Sequence, residues 1–130
     1  MKQGKTKKTN PAQSMRDAMK KATTEMLVLF MLRQKPMYTY QMAQEVDRLT
    51  QGELSYNTMY LAVYRLQERG YIEEAEKRIE EGRARIYLGI TPAGQTYYEQ
   101  LRAEYEIFTK ALEGLMARDG ALYPEGTEDV

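Results

Sequence analysis

Between Gly70 and Thr91 the apolar pattern of this chain changes its period, and that interval narrows the possible folds more than any other feature. Before it, Met59, Val63 and Leu66 stand four and three residues apart, the spacing of one helix face. Within it, Tyr71 to Glu76 reads as a strand, and Arg85 to Ile90 alternates so that Ile86, Leu88 and Ile90 point one way. Glu80-Glu81-Gly82 falls between the two as a hairpin tip. After it, helical spacing returns.

The segments on either side carry start and stop signals. Ser14, with Asp17 three residues on, opens a first helix through Met15, Met19, Met26, Leu27, Leu29, Phe30 and Leu32, which Pro36 ends. Thr39 caps a second helix, with Met42, Ala43, Val46 and Leu49 at helical spacing and a break at Gln51-Gly52. Ser55 caps a third that stops at Gly70 in a left-handed conformation. Thr91 caps a long fourth helix with Pro92 in its first position, and Gly94, Tyr98, Leu101, Tyr105, Phe108, Leu112 and Leu115 form a seam along it. Three helices, a hairpin and a fourth helix make the expected fold mainly α with a small β-hairpin, a winged helix-turn-helix followed by a long C-terminal dimerisation helix.

The domain boundaries follow. Residues 1–13 are polar and lysine-rich and are expected to be a flexible basic arm. Residues 14–91 form the winged helix-turn-helix domain and 92–117 the dimerisation helix. Residues 118–130 hold Gly120, Pro124 and Gly126 among acids and are expected to be a flexible acidic tail.

Composition excludes much. With no cysteine and no histidine, disulfides, thiolate nucleophiles, thiolate metal sites and imidazole acid–base chemistry are excluded. No apolar run reaches the length of a membrane span, so a cytoplasmic location without membrane contact is expected. The formal net charge is zero, but Lys2, Lys5, Lys7, Lys8, Arg16, Lys20 and Lys21 precede nearly all the acids. A nucleic-acid binder needs a local positive field rather than a basic total. No phosphate-cradling glycine loop appears, and neither an enzyme, a cofactor nor a metal is expected.

In this architecture the third helix is the recognition element. A helix of about fifteen residues is about 22 Å long and fits a major groove with its N-terminal residues nearest the base edges. Ser55, Tyr56, Asn57 and Thr58 stand at that end, with Asn57 suited to adenine and Thr58 to a thymine methyl or a phosphate. Tyr60, Tyr64 and Arg65 are placed to hold phosphates alongside, and Lys77, Arg78, Arg83 and Arg85 make the hairpin a basic wing. A two-fold dimer reads two half-sites one turn apart. The interface is expected along Tyr98, Leu101, Tyr105, Phe108, Leu112 and Leu115. A solvated helix face and a solvated hairpin are the plain alternatives for the individual DNA-contacting residues.

The residues also carry a resemblance. Lys35-Pro36-Met37-Tyr38-Thr39-Tyr40-Gln41-Met42, then Leu54-Ser55, Thr58-Met59-Tyr60, Arg65-Leu66 and Gly70-Tyr71-Ile72, resemble the PadR family of winged-helix repressors. Gly82-Arg83-Ala84-Arg85-Ile86-Tyr87 followed by Thr91-Pro92-Ala93-Gly94 is similar to that family's wing signature, with Ala84 in place of a proline and Gly89 in place of a basic residue. The resemblance covers residues 24–116 and points to the small subgroup with one C-terminal helix. It implies sequence-specific binding of double-stranded DNA by a homodimer that regulates transcription as a repressor. It further implies release by a small hydrophobic or aromatic effector bound between the subunits. Tryptophan, which stacks on the ligand in some members, is absent here, and Tyr97, Tyr98, Tyr105 and Phe108 are the rings that stand in its place. The alternative from another class is a helical protein–protein interaction module that does not bind DNA.

Overall fold

The computed structural model describes residues 10–57 and 59–125, so residues 1–9 of the expected arm and residues 126–130 of the expected tail lie outside the described residues. Helix α1 spans Pro11–Gln34. Its cap is Asn10, whose Oδ1 accepts the Ala12 amide at 2.9 Å, not Ser14. Proline at the first helical position gives up an amide that would have no helical partner. Residues 11–13 are therefore the first turn of α1 rather than the end of an arm.

Helix α2, Thr39–Leu49, begins after Tyr38, one residue before the expected cap; the Gln41 side chain reaches back to accept the Tyr38 amide at 3.4 Å. It ends where Gln51 (φ 51°) and Gly52 (φ 80°) turn left-handed. Helix α3 is Tyr60–Glu68. It closes in a Schellman motif: Gly70 at φ 78° donates to the Gln67 carbonyl at 3.0 Å, and Tyr71 donates to Leu66 at 2.9 Å. The glycine stop read from the sequence is thus in place.

Strands β1, Ile72–Glu80, and β2, Arg83–Ile90, pair antiparallel from Ile72 opposite Ile90 to Glu80 opposite Arg83. The turn between them is Glu81-Gly82, with φ of 50° and 75°, the two left-handed residues of a type I′ hairpin. β1 runs past Glu76, where its expected end lay, because the charged run 76–80 is held by pairing to β2 rather than by burial. A bulge at Ala75 shifts the register between Glu74 and Glu76. A β-carbon on Gly89 would come 3.3 Å from that of Ala75, so the glycine makes room for the bulge. Met37 adds one rung on the far edge of β2, exchanging backbone hydrogen bonds with Leu88 at 3.2 and 2.9 Å.

Helix α4 is Pro92–Met116. Thr91 caps it as expected: its hydroxyl accepts the Gly94 amide at 3.0 Å and donates to the Gly70 carbonyl at 2.7 Å. Residues 117–125 continue as turns and bends. The chain divides into two units, the first ending at Tyr98 and the second beginning at Glu99.

The core of the first unit combines Val28, Leu29 and Leu32 of α1, Met42 and Val46 of α2, Met59, Val63 and Leu66 around α3, and Ile72 and Leu88 of the hairpin. The helical stripes read from the sequence supply most of it. In the second unit Tyr105, Ile107, Phe108, Leu112, Leu115 and Met116 are exposed on α4. Among the described residues no helix is long and apolar enough to cross a membrane.

Candidate nucleic-acid interface

The expected recognition helix, α3, starts later than its sequence suggests, and this changes which residues stand at its tip. The stretch from Leu54 to Asn57 is not helical, so Ser55 is not a cap. Its carbonyl instead accepts Lys20 Nζ at 2.8 Å, while Glu53 accepts Arg16 Nη1 at 3.0 Å. Two cations of α1 thereby hold the connection in place. Tyr56 is buried, with its hydroxyl 2.8 Å from Thr23 Oγ1, and so presents nothing to a ligand. Asn57 is exposed at the rim of an open cleft beside Tyr40 and Gln44 of α2. Thr58 lies outside the described residues.

With α3 beginning at Tyr60, its outward face is Tyr60, Leu61, Tyr64, Arg65 and Glu68. Tyr60 and Tyr64 are 62% and 59% exposed and stand one helical turn apart as expected. Sequence reading missed Leu61, which is 71% exposed; its position between two stripe residues gives no signal until the helix start is known. Arg65 is exposed but engaged, donating from Nε to Glu25 Oε2 at 3.0 Å. The other carboxylate oxygen of Glu25 accepts the Tyr97 hydroxyl at 3.0 Å. Burial and that carboxylate both raise the pKa of the Tyr97 phenol above its ordinary value.

The wing has two chemically different faces. On one, Glu76, Arg78 and Glu80 oppose Tyr87, Arg85 and Arg83. The Arg78 guanidinium lies 4.1 Å from the centre of the Tyr87 ring and pairs with Glu76, and the Tyr87 hydroxyl donates to Glu80 at 2.9 Å. Arg85 lies 4.6 Å from the Tyr38 ring, with Nε 4.0 Å from Glu80 and its side chain only 22% exposed. Two of the four expected phosphate-binding cations are thus turned onto aromatic rings and acids: Arg78 within the hairpin, and Arg85 between the hairpin and Tyr38 at the start of α2. Lys77 and Arg83 are exposed and have no ion pair among the described residues. The other face carries Ile79, Ala84 and Ile86, all exposed.

The expected effector rings separate in the same way. Tyr97 stacks on Tyr71 at 4.4 Å between centroids, and Tyr98 is buried against Phe30 with Arg33 at 4.7 Å from its ring. Both are occupied within the first unit. Tyr105 and Phe108 are exposed, and Leu101 is half-buried.

This sequence of elements, with a hairpin braced on the helix-turn-helix, has known counterparts. The profile of the PadR-like family of transcriptional regulators matches residues 28–100, more than half of the chain. The chain belongs to the PadR-like family. A transcriptional regulator from Clostridium thermocellum superposes with a TM-score of 0.68 at 27% identity, covering 75% of this chain and 96% of that one. A PadR family regulator from Eggerthella lenta gives a TM-score of 0.69 at 24% identity over 81% of this chain and 91% of its own. A protein of Lysinibacillus sphaericus is 28% identical over 95 residues, 68% of this chain and 87% of the relative. This PadR-like chain is therefore a winged-helix transcriptional regulator rather than an enzyme.

Proposed function

We propose that this regulator binds double-stranded DNA sequence-specifically as a homodimer in the cytoplasm and represses transcription from the site it occupies. The observation that carries the reading is the outward face of α3, which offers Tyr60, Leu61, Tyr64 and Arg65 with no acid before Glu68. A helix tip that offers rings and hydroxyls without negative charge suits a major groove flanked by phosphates. Lys77 and Arg83 of the wing are the cations left for the backbone alongside.

Dimerisation rests on α4. Tyr105, Phe108, Leu112 and Leu115 expose an apolar row at helical spacing, an unusual patch for a monomer. A second copy of the same helix would cover it. Release by a flat hydrophobic effector belongs to the same proposal, with Tyr105 and Phe108 as its rings. Such a compound must bind the DNA-competent and DNA-incompetent dimers unequally.

The test is fluorescence anisotropy with the duplex upstream of the protein's own gene against a scrambled duplex, with sedimentation of the free chain. Selective binding by a species of twice the chain mass is expected. No binding to either duplex at low salt, with α4 still self-associating, would instead leave the interaction-module reading.

A further inference from the structure

We infer that Leu61 reads thymine in the operator, through the C5 methyl group in the major groove. This inference rests on the DNA-binding reading above and names a specificity determinant within it. Leu61 is the second residue of α3 and is 71% exposed, although Ala62, Val63 and Leu66 on the inner face already fill the core. Leu61 is not among the buried residues of the core.

The groove chemistry leaves little choice of target. Across the major groove a base pair presents hydrogen-bond donors, acceptors and, for thymine alone, a methyl group. A leucine side chain can neither donate nor accept, so the methyl is the one base-edge feature it favours. Its neighbours divide the remaining work. Tyr60 and Tyr64 are exposed one residue before and three residues after it, each with a hydroxyl, and Arg65 is part-exposed with its Nε on Glu25.

Position and charge select DNA over a protein partner. The N-terminal end of a recognition helix is the end that approaches base edges, and the late start of α3 puts Leu61 there. The first two turns of its outward face carry no carboxylate to repel a phosphate backbone.

The test starts from duplexes selected by the full-length protein from a randomised pool. Each thymine in the selected site is replaced singly by deoxyuridine, which removes the methyl and keeps the hydrogen-bonding edge. At one position per half-site the wild type should lose about fourfold in affinity, the equivalent of one buried carbon. Leu61→Ala should bind more weakly and no longer distinguish thymine from uracil there, while Leu61→Met should keep the distinction. Selection with no thymine whose replacement is felt by the wild type but not by Leu61→Ala overturns the inference alone. No enrichment from the pool overturns the DNA-binding reading and this inference with it. A change in the mass of free Leu61→Ala would overturn it too, assigning the leucine to an interface between chains.

Discussion

Gly94 sits so close to the backbone of Tyr71 that a β-carbon on it would stand 2.0 Å from the Tyr71 carbonyl oxygen and 2.8 Å from Ile90 Cγ1. That approach seats the first turn of α4 on the root of the wing. Backbone cannot swing aside as a flexible side-chain end can, so Gly94→Ala must push the helix off the hairpin. Overpacking of this kind costs about 1–3 kcal/mol or more. Thermal unfolding should show a fall of at least about 5 °C. A shift under about 1 °C would mean that α4 is not seated there.

Tyr56→Phe separates a core role from a DNA contact. Removing the hydroxyl that meets Thr23 should cost about 1 kcal/mol in denaturant unfolding. Affinity for the operator should stay within about twofold. Tyr64→Phe, on the exposed face, should do the opposite, weakening DNA binding with little effect on stability.

Tyr97 predicts an alkaline signature. Its folded-state pKa is raised by burial and by Glu25, whereas the unfolded chain titrates near 10.0. Above that pH the unfolded state releases a proton that the folded state still holds, so stability falls as pH rises from there through the folded value. The stabilisation is fully present below pH 10.0. Tyr97→Phe should lower stability at neutral pH and flatten the alkaline fall, as urea unfolding at a series of pH values would report. An unchanged alkaline fall would remove Tyr97 as its source.

At the wing tip, Glu81 holds a left-handed φ of 50° that asparagine adopts at less cost. Glu81→Asn should raise stability by about 0.5 kcal/mol and also strengthen DNA binding, since it deletes an acid beside Arg83. Greater stability with weaker DNA binding would argue that the tip faces away from phosphate and that Glu81 orients the wing.

Much of the fold and part of the site are legible in the sequence, and the exceptions have physical causes. The stripes Met42–Val46 and Met59–Val63–Leu66, the stop at Gly70 and the Thr91 cap depend on neighbours a few residues away, so spacing alone reveals them. The start of α3 does not. Ser55 looks like a cap, but Lys20 and Arg16 of α1 hold the 53–55 connection, and the Tyr56–Thr23 pair holds the residue after it. Sequence separation of more than thirty residues hides those interactions. The wing arginines stand out in the sequence, but their partners do not. Arg85 lies on Tyr38 from α2's cap and Arg78 on Tyr87, pairings that only the hairpin register and the Met37–Leu88 rung bring together.

If α3 and the wing together grip DNA, the salt dependence of binding shows it most directly. Anisotropy titrations of the upstream duplex with the wild type and with Lys77→Glu/Arg83→Glu, from about 50 to about 200 mM salt, give the two log–log slopes. Selective wild-type binding with a steep slope is predicted, and the variant's slope should be shallower by about 0.9 for each phosphate it no longer neutralises. Equal slopes and equal affinities in the two proteins would contradict a grip that includes the wing.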